Sequence, residues 1–404
     1  MIRLEEAWRL LDEAVRPLAI EDRPLIESLG SYLAESVHCD RDYPPSDRSA
    51  MDGFAVRAAD TSGASVTLNV QGEVAAGADP VGVEVQPGHA CRIFTGASMP
   101  RGADAVVMVE DTVEDRDAGT VVINREARVG QHVRHRASDR TEGELVLDAG
   151  IPIRPAEIAA LATVGRDPVR VIRRPSTAIL STGDEIVPVT SSPQSYQVRN
   201  SNALMLQAQV AACGFTAEPL GVVADDAGSL RQAIHEGLQR DLLLLSGGVS
   251  VGEYDLVAEA LADCGVETLF HGIRMKPGKP ILAGRRQHEG RAQIVLALPG
   301  NPLSAYVGFR LFGEPVLRRL AGEATFEAQC RDTPLATAFK AKAGRTTFHL
   351  ARRRETAAGR VVEPVASTGS GDVLALSRAN GCIRTPEEGA DLSVGRPVPF
   401  YDWG

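Results

Sequence analysis

The stretch Asp241–Asp255, DLLLLSGGVSVGEYD, joins four leucines to a cluster of glycines, serines and acids. Four leucines are too few to span a membrane and suit a strand buried on both faces. Ser246, Gly247, Gly248, Ser250 and Gly252 follow. Glycine permits a sharp turn and lets backbone N–H groups approach an anion closely. Asp255 comes next, and the helical pattern LVAEALADCG begins at once. Alone, this is equally an ordinary strand-to-helix turn. Other stretches end in the same way. STGDEI carries Asp184 and Glu185 past a short apolar strand, GVVADD carries Asp225 and Asp226, and AQIVLALPGNP ends in Pro299, Asn301 and Pro302. KPGKP sets Lys276 and Lys279 on either side of a Pro-Gly turn. A single lysine is usually a solvated surface charge; two flanking a fixed turn near other polar turns are less easily dismissed. Carboxylates at one edge suit Mg²⁺, which takes one or two of them with waters and ligand phosphates. Lysines and glycine-rich turns suit phosphate or another oxyanion. The combination predicts metal-assisted chemistry on a phosphorylated ligand, by electrostatic positioning and not by a covalent nucleophile. Walker A, GxGxxG and CxxC motifs are absent from the sequence.

A second group of polar residues lies earlier. SAMDGFAV places Asp52 beside Gly53, where a plain surface turn is the ordinary explanation. IFTGASMP places Thr95 and Gly96 on a turn after a strand, where a hydroxyl and backbone N–H could meet an oxyanion. VGQHVRHRASD concentrates Arg134, His135, Arg136 and Asp139. A solvated basic loop or an arginine contact to phosphate both fit it. His132 and His135 have no third ligand nearby, which disfavours a metal there.

The elements that must position these groups can be read from pattern. Leu4, Ala7, Trp8, Leu11 and Val15 form one helical stripe, and residues 1–38 read as largely helical. Pro44 and Pro45 suit a boundary. From Ser65 to about Val146, short alternating strands with frequent turns read as a β domain, and 153–165 returns to a helical pattern. From 173, apolar strands alternate with helices, which implies parallel strands with helices on both faces and strand C-termini sharing one edge. After Glu323 short strands resume. The expected architecture is α/β plus β and multidomain. It has a helical brace (1–45 and 140–172), an inserted β domain (46–139), a doubly wound α/β domain (173–322) and a C-terminal β domain (323–404).

Composition narrows the function classes. Aromatics at 4% and a net charge of −10 disfavour nucleic-acid binding. The six scattered cysteines suggest small buried hydrophobes in a reducing compartment. The N-terminus lacks a signal-peptide core, and the longest apolar runs fall short of the roughly 20 residues of a membrane span. A cytoplasmic protein without a membrane partner is expected.

In this order and spacing, SAMDGFAV, IFTGASMPRGADAVVM, STGDEIV, SGGVSVGEYD, MKPGKP and LPGNPLSA resemble the molybdopterin molybdenumtransferases, which include the bacterial MoeA enzymes and the E domain of gephyrin. The resemblance covers essentially the whole chain. It implies a molybdopterin-binding-like α/β domain and a homodimer whose active site is shared between subunits. It also implies a Mg²⁺-dependent reaction in which adenylyl-molybdopterin and molybdate are substrates, AMP is released and molybdenum is left on the dithiolene. A molybdopterin adenylyltransferase is the implied partner. By position, Asp52, Thr95, Glu185, Lys276 and Lys279 match catalytic residues. Asp226, Asp255 and Glu185 match acidic, metal-holding positions. Pro299 and Pro302 match the paired prolines, and Arg134 and Asp139 a family arginine and aspartate. The basic loop departs from the pattern, with His132 where the family usually has Asn and Ala137 where it has Gly; Phe54 replaces a common tyrosine. Two other functions are compatible with the same domains: a gephyrin-type scaffold, or an adenylyltransferase acting on molybdopterin itself.

Overall fold

The computed structural model describes residues 1–63, 65–249, 256–357 and 359–403. They divide into two compact units. One comprises Met1–Ala34, Gly150–Arg154 and Pro168–Gly404; the other comprises Glu35–Ala149 and Pro155–Asp167.

The first unit holds a six-stranded sheet of β1 (Ser176–Thr182), β2 (Thr216–Val223), β3 (Leu242–Ser246), β4 (Glu267–His271), β5 (Leu282–His288) and β6 (Arg291–Leu298), in the spatial order β2-β1-β3-β6-β5-β4. The four strands β2, β1, β3 and β6 are parallel. The leucine run is β3, and every residue of it is buried. Its side chains alternate between two cores: Leu242 and Leu244 pack on one face with Leu206 and Val210, and Leu243 and Leu245 on the other with Leu230, Ile234 and Leu261. Each buried leucine contributes about 2 kcal/mol of hydrophobic stabilisation. The helices covering the two faces are α1 (Ser201–Ala212), α2 (Ala227–Gly237), α3 (Leu256–Asp263) and α4 (Pro302–Gly308). The sheet is therefore doubly wound, as the pattern predicts. The far edge differs from the expectation of parallel strands: β5 and β6 form an antiparallel hairpin, with Glu289 (φ 50°) and Gly290 (φ 76°) as its two-residue loop. Positive φ at both loop residues matches the twist of paired strands.

Two further pieces complete this unit. The helix Leu4–Ala14 buries Leu4, Ala7 and Leu11 in the same core as Leu242, and Trp8 Nε1 donates to the Leu311 carbonyl at 2.9 Å. The helical reading of 1–38 holds only to Ala14. Beyond Pro17 the chain runs extended, pairs Ile20–Arg23 with Val169–Ile172, and makes a short 3₁₀ turn at Leu25–Ser28. A C-terminal sheet is built from Arg331–Pro334, Thr346–Thr356, Gly359–Pro364, Gly381–Thr385 and Pro397–Asp402. Met275–Lys276 adds to it in parallel, with Lys276 beside Thr347.

The second unit is a six-stranded sheet in the order Ala105–Met108, Gly53–Val56, His89–Ile93, Val66–Val74, Thr120–Ile123, Thr112–Asp115. It too has apolar residues on both faces: Phe54, Val56 and Leu68 on one, Ala55, Cys91 and Ile93 on the other. The helix Pro155–Thr163 belongs to this unit.

Candidate functional site

Because β1, β3 and β6 run parallel, their C-terminal ends meet at one edge, around a cavity of about 550 Å³. Ser246, Gly247, Gly248, Asn301, Pro302 and Glu185 all line it. The turn after β3 demands glycine. At Gly247 (φ 102°) an added Cβ would lie 2.2 Å from the Thr182 carbonyl oxygen, so β1 and this turn could not approach as they do.

Asn202, on α1, locks the floor. Its amide donates to Ser246 Oγ at 2.8 Å and to the Gly300 carbonyl at 2.9 Å, tying the end of β3 to the Pro-Gly-Asn-Pro turn. Its Oδ1 is buried without a hydrogen-bond partner among the described residues. Arg199, Asn200, Gly371 and Val373 also line the cavity. Sequence reading missed all of these. The available signal was the polar VRNSN opening an otherwise apolar helix, with Asn200 as its cap.

At the end of β2 the two aspartates separate. Asp225 lines the cavity and accepts from the Thr182 hydroxyl, while its own N–H donates to Asp184 Oδ1 at 3.2 Å. Asp226, the residue named as a metal ligand on sequence, instead caps α2 by accepting from the N–H groups of Gly228 (2.9 Å) and Ser229 (3.1 Å). Bonds from Ser229, then the Gly228 amide, hold its carboxyl below the usual range. Aspartate is a preferred cap, and Oδ1 of Asp226 accepts both bonds, while Asp225 is the one of the pair that lines the cavity. Ser250, Gly252 and Asp255 lie outside the described residues.

At the start of β3, Asp241 accepts from Arg173 at 2.7 and 3.0 Å and from Ser176 N–H and Oγ. Burial would raise its pKa, but Arg173 and Ser176 outweigh burial and leave it below the usual carboxylate value. This pair anchors the opposite end of the strand from the cavity.

Lys276 does not line the strand-end cavity. It borders two others, of about 430 and 400 Å³, beside the C-terminal sheet. Lys279 sits half-exposed in the same loop, and its carbonyl accepts from Ile273 N–H at 2.9 Å. Pro299 is not among the residues lining the strand-end cavity, unlike Pro302.

In the other unit, Asp52 Oδ1 accepts from both the N–H and the hydroxyl of Thr95, each at 2.7 Å. The hydroxyl, then the amide, hold the Asp52 carboxyl below its usual range. Thr95, Arg41, Arg48, Arg134 and Asp139 line a cavity of about 370 Å³. Arg134 is paired with Asp139, Arg136 with Asp42, and His135 Nδ1 lies 3.3 Å from Asp47. His132 and Ala137 have φ of 54° and 60°. These are left-handed positions, which explains why Asn and Gly are the usual residues there.

Over 96% of its length, and 92% of the relative's, this chain is 33% identical to a "Molybdopterin molybdenumtransferase" of Bacillus subtilis (strain 168). The chain belongs to the molybdopterin molybdenumtransferase family. A cyanobacterial relative of the same name, from Nostoc sp., is 40% identical over 72% of this chain and 67% of its own. The structure matches a crystal structure of a molybdopterin biosynthesis MoeA protein from Pyrococcus horikoshii with a TM-score of 0.84 and 31% identity, covering 100% of this chain and 99% of that one. Residues 2–165 match the MoeA N-terminal region (domain I and II), 178–319 a probable molybdopterin binding domain, and 332–403 the MoeA C-terminal region (domain IV). In family terms the strand-end cavity lies mainly in the molybdopterin binding domain, with Gly371 and Val373 supplied by the C-terminal region.

Proposed function

We propose that this chain inserts molybdenum into molybdopterin. Water cleaves the pyrophosphate link of adenylyl-molybdopterin, AMP leaves, and molybdate is transferred to the dithiolene. The observation that carries this reading is the strand-end cavity, where a glycine turn and Asn301 face Glu185 and Asp225. The backbone turn would hold the phosphates, as N–H groups at such turns do. Lys276 and Lys279 would receive the oxyanion.

Among the described residues there is no group of three His, Cys, Asp or Glu that could hold a metal by itself. Two carboxylates on a phosphate-sized cavity nevertheless fit Mg²⁺, which keeps waters and takes ligand phosphates as its remaining partners. Glu185 and Asp225 would hold it, with Asp255 as a further candidate, and Mg²⁺ would supply charge neutralisation on the pyrophosphate oxygens. Thr182 and Asp184 keep Asp225 aimed into the cavity through their hydrogen bonds.

Asp52, Thr95 and Arg134 enter this proposal as residues contributed by the partner subunit of a homodimer. The four segments expected from sequence are kept as its domains, in a cytoplasmic enzyme supplied by a molybdopterin adenylyltransferase. The test is AMP release from adenylyl-molybdopterin by purified protein, with Mg²⁺ and molybdate added singly and together. Release that needs both ions is expected. Tight binding of the ligand with no AMP released under any of these conditions would sink the reading.

A further inference from the structure

Three hydroxyls at the ends of β1 and β3 line the strand-end cavity: Ser181, Thr182 and Ser246. A hydroxyl has one proton, and the direction of that proton decides whether the group can donate to a ligand. Two of the three protons are spent within the protein. Ser181 Oγ donates to Asn200 Oδ1 at 3.2 Å, and the Ala203 N–H, donating to the same atom, identifies it as the oxygen of that amide. Thr182 donates to Asp225.

Ser246 is bonded in the opposite sense. One atom of the Asn202 amide lies 2.8 Å from Ser246 Oγ and 2.9 Å from the Gly300 carbonyl oxygen. A carbonyl oxygen only accepts, so that atom is the nitrogen, and its two protons are divided between Gly300 and Ser246. Turning the amide over would set oxygen against oxygen at Gly300. The amide keeps this orientation although its own Oδ1 is buried without a partner among the described residues. Ser246 Oγ is therefore an acceptor toward Asn202, and its proton points elsewhere. Among the described residues the Asn202 bond is the only one that Ser246 Oγ makes. Asn202 is 9% exposed and Ser246 3%, so bulk water does not compete for this arrangement.

We propose that Asn202 is a positioning residue for the strand-end cavity: by donating to Ser246 Oγ it aims the Ser246 hydroxyl proton at the ligand, where it meets a phosphoryl oxygen. The chemistry of the lining gives this a purpose. Glu185 and Asp225 are acceptors when ionised, which a phosphoryl oxygen cannot pair with. Gly247 and Gly248 follow Ser246 directly, so its hydroxyl adds a donor beside the backbone N–H groups of the turn. A hydrogen bond to an ionised acceptor is roughly twice as strong as a neutral one, so the direction of one proton matters here. The choice of a phosphoryl ligand rests on the insertase reading; the direction of the Ser246 proton does not.

The test is a double-mutant cycle on the full chain: unmodified, Asn202→Ala, Ser246→Ala and the two together. Binding of AMP and of inorganic pyrophosphate is measured calorimetrically with Mg²⁺ present, and melting temperatures are recorded beside it. Each single substitution should weaken both ligands about tenfold, as loss of a hydrogen bond to a charged group does. The double variant should bind no more weakly than either single one, because Asn202 acts through Ser246. Stability should behave differently. Asn202→Ala also cuts the bond to Gly300, so its lowering of the melting temperature should persist in the Ser246→Ala background. If Asn202→Ala does not fold, Asn202→Asp replaces it. Aspartate has nearly the same shape and accepts from the Ser246 hydroxyl, turning the proton inward, so Ser246→Ala should cost no further affinity in that background. Losses that multiply to about a hundredfold in the double variant would show Asn202 acting on the cavity by itself and overturn the proposal. Ligand binding unchanged by Ser246→Ala, or no binding of either ligand by the unmodified chain, overturns it as well. Binding is read without turnover. A chain that passes the cycle yet releases no AMP from adenylyl-molybdopterin loses the insertase reading and keeps this assignment; one that releases AMP but shows multiplying losses does the reverse.

Discussion

The α/β sheet and the sheet of the second unit bring polar residues together by different means. In the first, β2, β1, β3 and β6 are parallel, so strand polarity alone delivers Asp225, Gly183, Ser246 and Gly300 to one edge. In the second, Gly53–Val56 and His89–Ile93 are antiparallel, and Asp52 meets Thr95 because Gly53 pairs with Ile93. A residue before one strand and a residue after the next become neighbours only in that register. Convergence by polarity tolerates small shifts along a strand. Convergence by register does not, since a slip of one residue turns every side chain to the other face.

Two glycines test this difference with the largest expected effect. An added Cβ at Gly53 would lie 1.9 Å from the Val107 carbonyl oxygen, and at Gly247 2.2 Å from that of Thr182. Each substitution to alanine is expected to cost on the order of 3 kcal/mol through backbone displacement. Thermal unfolding would measure it. The consequences should differ: Gly53→Ala disturbs the pairing that joins Asp52 to Thr95, whereas Gly247→Ala blocks the anion turn directly and removes phosphate affinity. A Gly53→Ala protein with an unshifted melting temperature would break the register argument.

This contrast also marks what the sequence made legible. The leucine run, the alternation of strands and helices, and the shared C-terminal edge follow from period and polarity, so Ser246, Gly247, Asn301 and Glu185 could be placed on one edge before any coordinates. The hairpin of β5 and β6 was not legible as a pair, because the β5 segment, LAGRRQH, carries a glycine and four polar residues and shows no strand period. The adjacency of Lys276 to Thr347 depends on a bridge between stretches some seventy residues apart in sequence, and no local pattern encodes that. Nor could pattern decide between Asp225 and Asp226. Neighbours in sequence at a strand-to-helix junction divide into cap and cavity residue only once the helix start is known.

That division gives the next prediction. Asp226→Ala should lower stability by about 1 kcal/mol, the ordinary cost of losing a helix cap, with turnover retained. Asp225→Asn should leave the melting temperature nearly unchanged and weaken Mg²⁺ dependence by about tenfold or more. Paired measurements of unfolding and of AMP release against Mg²⁺ concentration separate the two. If Asp226→Ala gave the larger loss of Mg²⁺ response, the cavity would have to be reassigned around the helix cap.

The smallest effect lies in the loop that carries Arg134 and Asp139. Its backbone is fixed by bonds from Ala137 N–H to the Pro44 carbonyl and from Ala50 N–H to the His132 carbonyl, so the left-handed turns at 132 and 137 are built into the loop. A left-handed conformation costs a side-chain-bearing residue about 1–2 kcal/mol, and Asn bears it more easily than His. Ala137→Gly removes that cost but loosens the unfolded chain by about 0.5–1 kcal/mol, so its net gain should be only a few tenths. His132→Asn carries no such entropy penalty and should gain slightly more, about 0.5 kcal/mol. The two together should raise the melting temperature while leaving the Arg134–Asp139 pair in place, because the backbone they relax is already in the required conformation. A fall in stability on His132→Asn would mean that the His132 ring makes a contribution larger than the strain it bears. The departures from the family pattern would then be a local repacking of this loop.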